Sequence, residues 1–130
     1  MKKNIIEKQT LLTNIWIFVL FNMIFRDLHE FVGPTALQDM AALEVSEVQL
    51  LIFGIVLEIP ISMVLLTKVL PIQFVKWTNI AAAIITLVGF ISTIPSADLD
   101  DVFFFVVSSI ASLSVIYMAW KLPSSSSSSQ

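Results

Sequence analysis

The sequence predicts an all-α integral membrane bundle of four transmembrane helices, because it is strongly apolar, weakly charged and divided into four long hydrophobic segments. Of its 130 residues, 57% are hydrophobic and 13% are charged, and the mean hydropathy is +0.91. A soluble domain of this length needs more charge to cover its surface. A helix that crosses a bilayer needs roughly 20 apolar residues at about 1.5 Å each. We expect such helices at residues 11–30, 48–67, 77–94 and 102–120.

The first of these segments follows a short basic stretch, residues 1–10, which we predict to be a cytoplasmic N-terminal segment. A positive start is also found in cleaved signal peptides. Here the apolar run is too long, and no small-residue cleavage pattern follows it. The polar sequence FRDLHEF at residues 25–31 comes next instead. The first segment is therefore predicted to be a retained helix.

The connections between the segments predict how the helices follow one another. In the first connection, Pro34 is expected to open a brief surface helix, since proline suits the first turn of a helix. The second connection, KVLPIQFVK, is short and contains Pro71, which predicts a tight antiparallel hairpin. Residues 11–121 thus form a single transmembrane domain. The polar tail at residues 122–130, LPSSSSSSQ, is predicted to be flexible.

The charges predict the orientation of the bundle in a cell membrane. All the lysines fall on one side: Lys2, Lys3, Lys8, Lys68, Lys76 and Lys121. The opposite side collects acidic residues: Asp39, Glu44, Glu47, Asp98, Asp100 and Asp101. Cytoplasmic loops carry an excess of basic residues, so we expect both termini in the cytoplasm. Trp77, Tyr117 and Trp120 lie near that boundary, where aromatic rings prefer the headgroup level.

Several function classes are excluded or disfavoured by composition. The chain has no cysteine, so it has no disulfide framework and no thiolate metal site. A pI near 4.9 leaves no basic patch for nucleic acid. A metal site of Asp27, His29 and Glu30 is weakly indicated, since adjacent residues point in different directions. No phosphate loop or nucleophile motif is present, so we predict no cofactor, no catalytic residue and no enzyme activity.

Glu58 is the main candidate for a functional residue, because it lies at the centre of the second segment with Pro60 two residues later. Gly54, Glu58 and Ser62 are spaced by four and share one helix face, which we expect to point into the bundle. An ionisable residue at membrane depth is by default a functional-site hypothesis. The alternative is a structural hydrogen bond between two helices, which membrane proteins also use.

Two residues of the first segment are expected to accompany Glu58. Asn22 comes at a similar height, and Arg26 lies about one turn further outward. An arginine and a carboxylate form a planar, often bidentate pair. Arg26, Asp27 and His29 are therefore further candidates for substrate or proton binding. For these three, a solvated and ion-paired helix end is the simpler explanation.

The third and fourth segments also have one face each that suits hydrocarbon poorly. In the third, the aligned residues are Asn79, Ala83, Thr86, Phe90 and Thr93. In the fourth, they are Ser108, Ser112 and Ala119. We expect both faces to turn inward, which gives the bundle a mildly polar interior.

Three sequence runs carry a resemblance to a known family. They are IWIFVLFNMIFRDL at Ile15–Leu28, EIPISMVLLTKVLP at Glu58–Pro71 and KWTNI at Lys76–Ile80. Together they resemble a family of small bacterial four-helix membrane proteins that is classed as a domain of unknown function. The resemblance extends over residues 11–121. It implies an integral protein of the bacterial cell membrane, and it implies no activity.

Two functional hypotheses follow. In the first, the protein is a small proton- or cation-coupled transporter of an unknown small molecule or ion, in which Glu58 binds the cation and Asn22 positions it. In the second, it is a membrane interaction or structural module in which Glu58 and Asn22 only pair helices. In either case, the expected surroundings are the lipid bilayer and either further copies of the chain or a partner membrane protein. The first predicts a water-accessible cavity at Glu58, and the second predicts a dry site.

Overall fold

The computed structural model describes residues 2–42, 44–93 and 98–124, and within these residues all regular structure is helical. The helices are α1 (Lys2–Glu30), α2 (Ala36–Ala42), α3 (Glu47–Val69), α4 (Ile72–Thr93) and α5 (Leu99–Trp120). The all-α prediction is confirmed. Four helices, all except α2, are long and apolar enough to cross a membrane. Two predicted features fall outside the described residues: the end of the third segment at Ile94 and most of the serine tail, residues 125–130.

The helix boundaries agree with the predicted segments to within five residues, apart from one long extension. The helix α1 begins at Lys2 instead of residue 11, so the basic N-terminal stretch continues the helix. Local signals mark two of the remaining boundaries. Ser46 caps α3 through a capping box, in which its hydroxyl accepts from the Gln49 backbone N–H while its own N–H donates to Gln49 Oε1. Leu70 and Pro71 alone separate α3 from α4, which confirms the tight hairpin.

The four long helices form an antiparallel ring. The helix α1 packs against α3 and α5, and α4 packs against the same two helices from the other side. Contacts at the helix ends fix the direction of each helix. Gln9 near the start of α1 donates to the carbonyl of Thr67 near the end of α3 (3.1 Å). At the opposite end, His29 of α1 meets Asp100 of α5.

This arrangement separates the charges between the two ends of the bundle. We call the end that holds the start of α1 and the α3–α4 connection the lysine end, because Lys2, Lys3, Lys8, Lys68, Lys76 and Lys121 lie on it. The other end, which holds the end of α1 and the start of α5, is the acidic end. Lys76 is buried at the lysine end, where its Nζ donates to the carbonyl of Leu122 (3.3 Å) and lies 5.1 Å from the centre of the Trp120 ring. The ammonium group thereby stabilises the carbonyl end of α5.

The interior confirms the predicted inward faces of α4 and α5. Buried residues include Asn79, Ala83, Thr86 and Phe90 of α4 and Ser108, Ser112 and Ala119 of α5. Nothing is described for the side chain of Thr93. The large apolar residues Leu12, Trp16 and Val115 fill the space between these small and polar groups. Such small residues allow helices to approach closely.

The expected inward face of α3 is wrong. Its buried residues are Pro60, Met63 and Thr67, whereas Gly54 and Glu58 are exposed. Thr67 comes nine positions after Glu58, and nine steps of about 100° place the two residues on opposite sides of the helix. Thr67 is held inside because its hydroxyl pairs with Asn79 of α4. That pairing turns the Glu58 carboxylate outward.

Candidate functional site

Glu58 lies on the outward face of α3. It is the central residue of this helix, and within the described residues it has no hydrogen-bond or ion-pair partner. Its neighbours on this face are exposed as well: Leu51, Gly54, Ile55, Ile61 and Leu65. A methyl group added at Gly54 would meet nothing within 4 Å. The feature is therefore a smooth apolar strip with a single carboxyl group at its centre.

Asn22 does not accompany Glu58, contrary to the sequence-based expectation. Its amide donates to the Phe104 carbonyl (3.0 Å) and to the hydroxyl of Ser108, both on α5. Phe104 and Ser108 are four residues apart, so one amide group bridges successive turns of the neighbouring helix. Asn22 therefore joins α1 to α5. This is the structural role that the sequence raised as the alternative, carried out with a different helix.

Arg26, Asp27 and His29 form an ion-paired cluster at the acidic end instead of reaching toward Glu58. Arg26 Nη2 lies 3.2 Å from Asp27 Oδ1, and Arg26 Nε lies 3.9 Å from Asp101 Oδ1. His29 Nδ1 lies 2.9 Å from Asp100 Oδ2. The last two contacts run from α1 to α5, so the cluster fastens the end of one helix to the start of the other. The simpler explanation for these residues, a salt-bridged helix end, describes this geometry.

A buried hydrogen-bond network near the lysine end was only partly foreseen from the sequence. Trp16 Nε1 donates to Asn79 Oδ1 (2.7 Å), and Asn79 Nδ2 donates to the Val75 carbonyl (2.8 Å) and to the hydroxyl of Thr67 (3.2 Å). Trp16, Thr67 and Asn79 are all fully buried. The network ties α1, α3 and α4 together. The helical spacing of Asn79 predicted an inward-facing residue, but its partners come from distant segments, which no local pattern indicates.

Two grooves lie between α1 and α5, and neither reaches Glu58. One is lined mainly by Ile15, Phe18, Ile110 and Ala111. The other lies nearer the acidic end, with a volume of about 570 Å³ and a lining of Phe18, Phe21, Asn22, Phe25, Leu28, His29, Val32 and Phe104. Both are largely apolar. Among the described residues, no group of three His, Asp or Glu side chains is placed to hold a metal ion.

Comparison with known proteins identifies the family. No curated protein and no solved structure matches the chain significantly. A family model does match, over residues 3–127, and its description is "Family of unknown function (DUF6326)". The match covers nearly the whole chain and confirms the resemblance to a family of unknown function that the sequence motifs indicated. With four apolar helices in an antiparallel ring and a matching family model over almost its full length, the chain belongs to the DUF6326 family.

Proposed function

We propose that this protein is a multi-pass cell-membrane protein that works as an interaction module, holding another protein in the bilayer through the outward face of α3. In this proposal α1, α3, α4 and α5 cross the membrane with the lysine end in the cytoplasm. The observation that carries the proposal is the placement of Glu58. It is central in its helix, exposed and without a partner in the described part of its own chain.

The energetic argument concerns what surrounds that carboxyl group. A charged residue at the centre of a membrane helix costs about 2.5–3.5 kcal/mol on insertion scales, so such residues rarely face lipid. The interior of this bundle cannot relieve the cost, because α3 turns Pro60, Met63 and Thr67 inward. A hydrogen-bonding group on a neighbouring protein would relieve it. Association in the membrane is therefore the activity that this geometry favours.

The outward face of α5 makes the comparison sharper. Along α5, the exposed large side chains are uniformly apolar: Leu99, Val102, Phe103, Val106, Ile110, Leu113, Tyr117 and Trp120. Such a face suits acyl chains, with its tyrosine and tryptophan near the lysine end, where an aromatic belt belongs. The face of α3 is aliphatic except at Gly54 and Glu58. The difference between the two faces supports a protein contact on α3 and a lipid contact on α5.

The transport hypothesis is less well supported. It needs Glu58 beside a water-accessible path, and neither groove between α1 and α5 reaches that residue. The two hypotheses predict different results for the substitution Glu58→Gln, because glutamine keeps the ability to hydrogen-bond but cannot exchange a proton. Association is expected to survive this change. Proton- or cation-coupled flux in liposomes would be lost, so a flux that depends on the carboxyl group would favour transport.

Site-specific photocrosslinking in cell membranes tests the proposal directly. A photoreactive residue would replace Leu51 or Ile55 on α3, and Ile110 or Leu113 on α5 as matched exposed controls. We expect protein adducts from the α3 positions and lipid adducts alone from the α5 positions. Lipid adducts alone from all of these positions would overturn the proposed function.

A further inference from the structure

We propose that the partner held by α3 is a second copy of this chain, bound in a parallel, two-fold symmetric dimer in which the two Glu58 carboxyl groups hydrogen-bond to each other. This inference rests on the proposed function, since it names the occupant of the same face. Four features of the outward face of α3 support it: its height, its self-complementarity, the spacing of its residues and the open space at Gly54.

The first two features follow from symmetry. Two copies with the same orientation in the membrane are related by an axis along the membrane normal, and such an interface brings equivalent residues together. Glu58 is central in α3, so the two carboxyl groups meet at one height near the middle of the bilayer. Carboxyl groups pair through hydrogen bonds when at least one carries a proton, and hydrocarbon disfavours the bare charge. A second copy thus supplies the hydrogen-bond partner that Glu58 lacks within the described residues of its own chain.

The third feature is the residue spacing. Leu51, Gly54, Glu58, Ile61 and Leu65 follow one another at alternating intervals of three and four residues, and all are exposed. This is the spacing that lets two parallel helices pack along a shared seam, and one polar residue on such a seam selects the register and the number of strands. Only the in-register arrangement places Glu58 opposite Glu58, so the carboxyl pair would set the alignment.

The fourth feature is the space at Gly54. Glycine at a helix contact allows two backbones to approach closely. Within the chain, a methyl group at Gly54 meets nothing within 4 Å, whereas one at Gly89 would lie 3.5 Å from Val56 Cγ1. Gly89 therefore serves a contact inside the bundle. Gly54 serves no contact within the described chain, and a neighbouring α3 would use the space it leaves.

Disulfide crosslinking maps the arrangement in cell membranes, because the chain contains no cysteine of its own. We expect single cysteines at Leu51, Gly54, Ile61 and Leu65 to form covalent dimers on mild oxidation. Ile52 and Phe53 are equally exposed in the single chain but lie off the seam, and cysteines there should crosslink weakly. Two different epitope tags on co-expressed copies identify the product as a dimer of this chain. Equal crosslinking at seam and off-seam positions would overturn the proposed dimer.

Subunit counting of the purified protein in micelles measures the contributions of Gly54 and Glu58. We expect Gly54→Leu and Glu58→Leu each to weaken the dimer by about tenfold, while Glu58→Gln keeps it. Ala81→Leu, a matched enlargement at an exposed position of α4, should leave it unchanged. A monomeric wild type, or dimers indifferent to Gly54→Leu and Glu58→Leu, would overturn the inference.

The two proposals can fail separately. Photocrosslinks from α3 to a different membrane protein, together with a monomeric purified chain, would remove the second copy as the partner and leave the interaction module standing. Lipid adducts alone from α3 would remove both.

Discussion

Asn79 shows how a single polar side chain can hold three helices together. Its carbonyl oxygen accepts from Trp16, and its amide group donates to Val75 and Thr67. In a protein interior, each of these groups costs more when it is left unpaired than a single hydrogen bond contributes when it forms. The network therefore stabilises one packing arrangement against its alternatives. It also fixes which side of α3 faces inward, and so it determines where Glu58 lies.

Replacing Asn79 with alanine tests the importance of the network. The indole N–H of Trp16 and the hydroxyl of Thr67 would lose their partner in a dry interior. We expect Asn79→Ala to lower the free energy of unfolding by about 1–3 kcal/mol, measured by denaturation in mixed micelles. Thr78→Ala is the matched control, because the Thr78 hydroxyl bonds only to carbonyls of its own helix. An equal effect of the two substitutions on the free energy of unfolding would show that the network adds nothing to stability.

A second residue-scale prediction concerns Asn22, which bridges α1 and α5. Loss of its amide would leave the Phe104 carbonyl and the Ser108 hydroxyl without that donor. Asn22→Ala is therefore expected to destabilise the fold by about 0.5–2 kcal/mol without changing the oligomeric state. If Asn22→Ala dissociated an assembly while leaving the unfolding midpoint intact, Asn22 would belong to an interface between chains instead.

At the scale of elements, α3 is the least enclosed of the four long helices. Its acidic-end half, from Val48 to Ile55, is exposed on every side, and Val56, the next residue of α3, lies beside Gly89 of α4. Pro60 deprives the Val56 carbonyl of its usual donor, yet α3 remains continuous through it. The helix is thus anchored at the lysine end by Thr67 and is free along its outer half to meet another molecule.

The contact between α3 and α4 can be tested with a pair of glycines. Both Gly54→Ala and Gly89→Ala should stabilise the folded monomer by up to about 1 kcal/mol through helix propensity, since neither methyl group clashes. Larger side chains should distinguish the two glycines. Gly89→Leu would push against Val56 and lower the free energy of unfolding by about 1–3 kcal/mol, whereas Gly54→Leu would not. Thermal unfolding under monomeric conditions measures all four. Equal effects of the two leucine substitutions would contradict the packing.

The elements were largely predictable from the sequence, but the rotation of α3 was not. Length and hydropathy indicate a spanning helix locally, and Pro71 and Ser46 mark helix ends by local chemistry. The side of a helix that turns inward depends on partners from distant segments. The sequence of α3 offers two alternative faces: Gly54 with Glu58, and Met63 with Thr67. The pairing of Thr67 with Asn79 selects the second face, and no pattern within the sequence of α3 predicts that pairing.

For the same reason, the predicted partners of Glu58 were wrong while the character of the acidic end was correctly anticipated. Heights along antiparallel helices can be counted from the sequence, so Asn22 was a reasonable match for Glu58. Whether Asn22 faces α3 or α5 depends on packing around the ring. The ion-paired cluster of Arg26, Asp27 and His29 needs only nearby charges at a helix end, which the sequence displays directly.

At the scale of the whole molecule, the antiparallel ring gathers the lysines at one end and most of the carboxylates at the other, with Glu7 at the lysine end and Glu58 at the middle of α3. Because basic residues favour the cytoplasmic side of a membrane, we expect this separation to give the bundle a single orientation. The exposed aromatic residues Trp77, Tyr117 and Trp120 lie toward the lysine end and fit a headgroup boundary there. The two ends of the bundle thus differ in charge. The outward faces of α3 and α5 differ as well, because only the face of α3 carries a carboxyl group.

The orientation can be tested with single cysteines, because the chain has none of its own. Cysteines replacing Lys8 or Lys121 should be protected from a membrane-impermeant thiol reagent in intact cells, since we expect the lysine end to face the cytoplasm. Cysteines replacing Asp39 or Asp98 should react. Permeabilised cells provide the control for reactivity. The opposite labelling pattern would reverse the proposed orientation, and labelling at both ends would indicate dual insertion.

The most direct test of the central claim is a comparison of oxygen accessibility along the outward faces of α3 and α5. Spin labels at Leu51, Ile55 and Leu65 of α3 and at Val106, Ile110 and Leu113 of α5 would be measured in native-like membranes. All these positions are well exposed in the single chain, so an accessibility that is lower along α3 than along α5, compared at equal depth in the bilayer, would indicate that another protein covers α3. We predict high oxygen accessibility along α5 and low accessibility along α3. Equal, lipid-like accessibility on both faces would contradict the account.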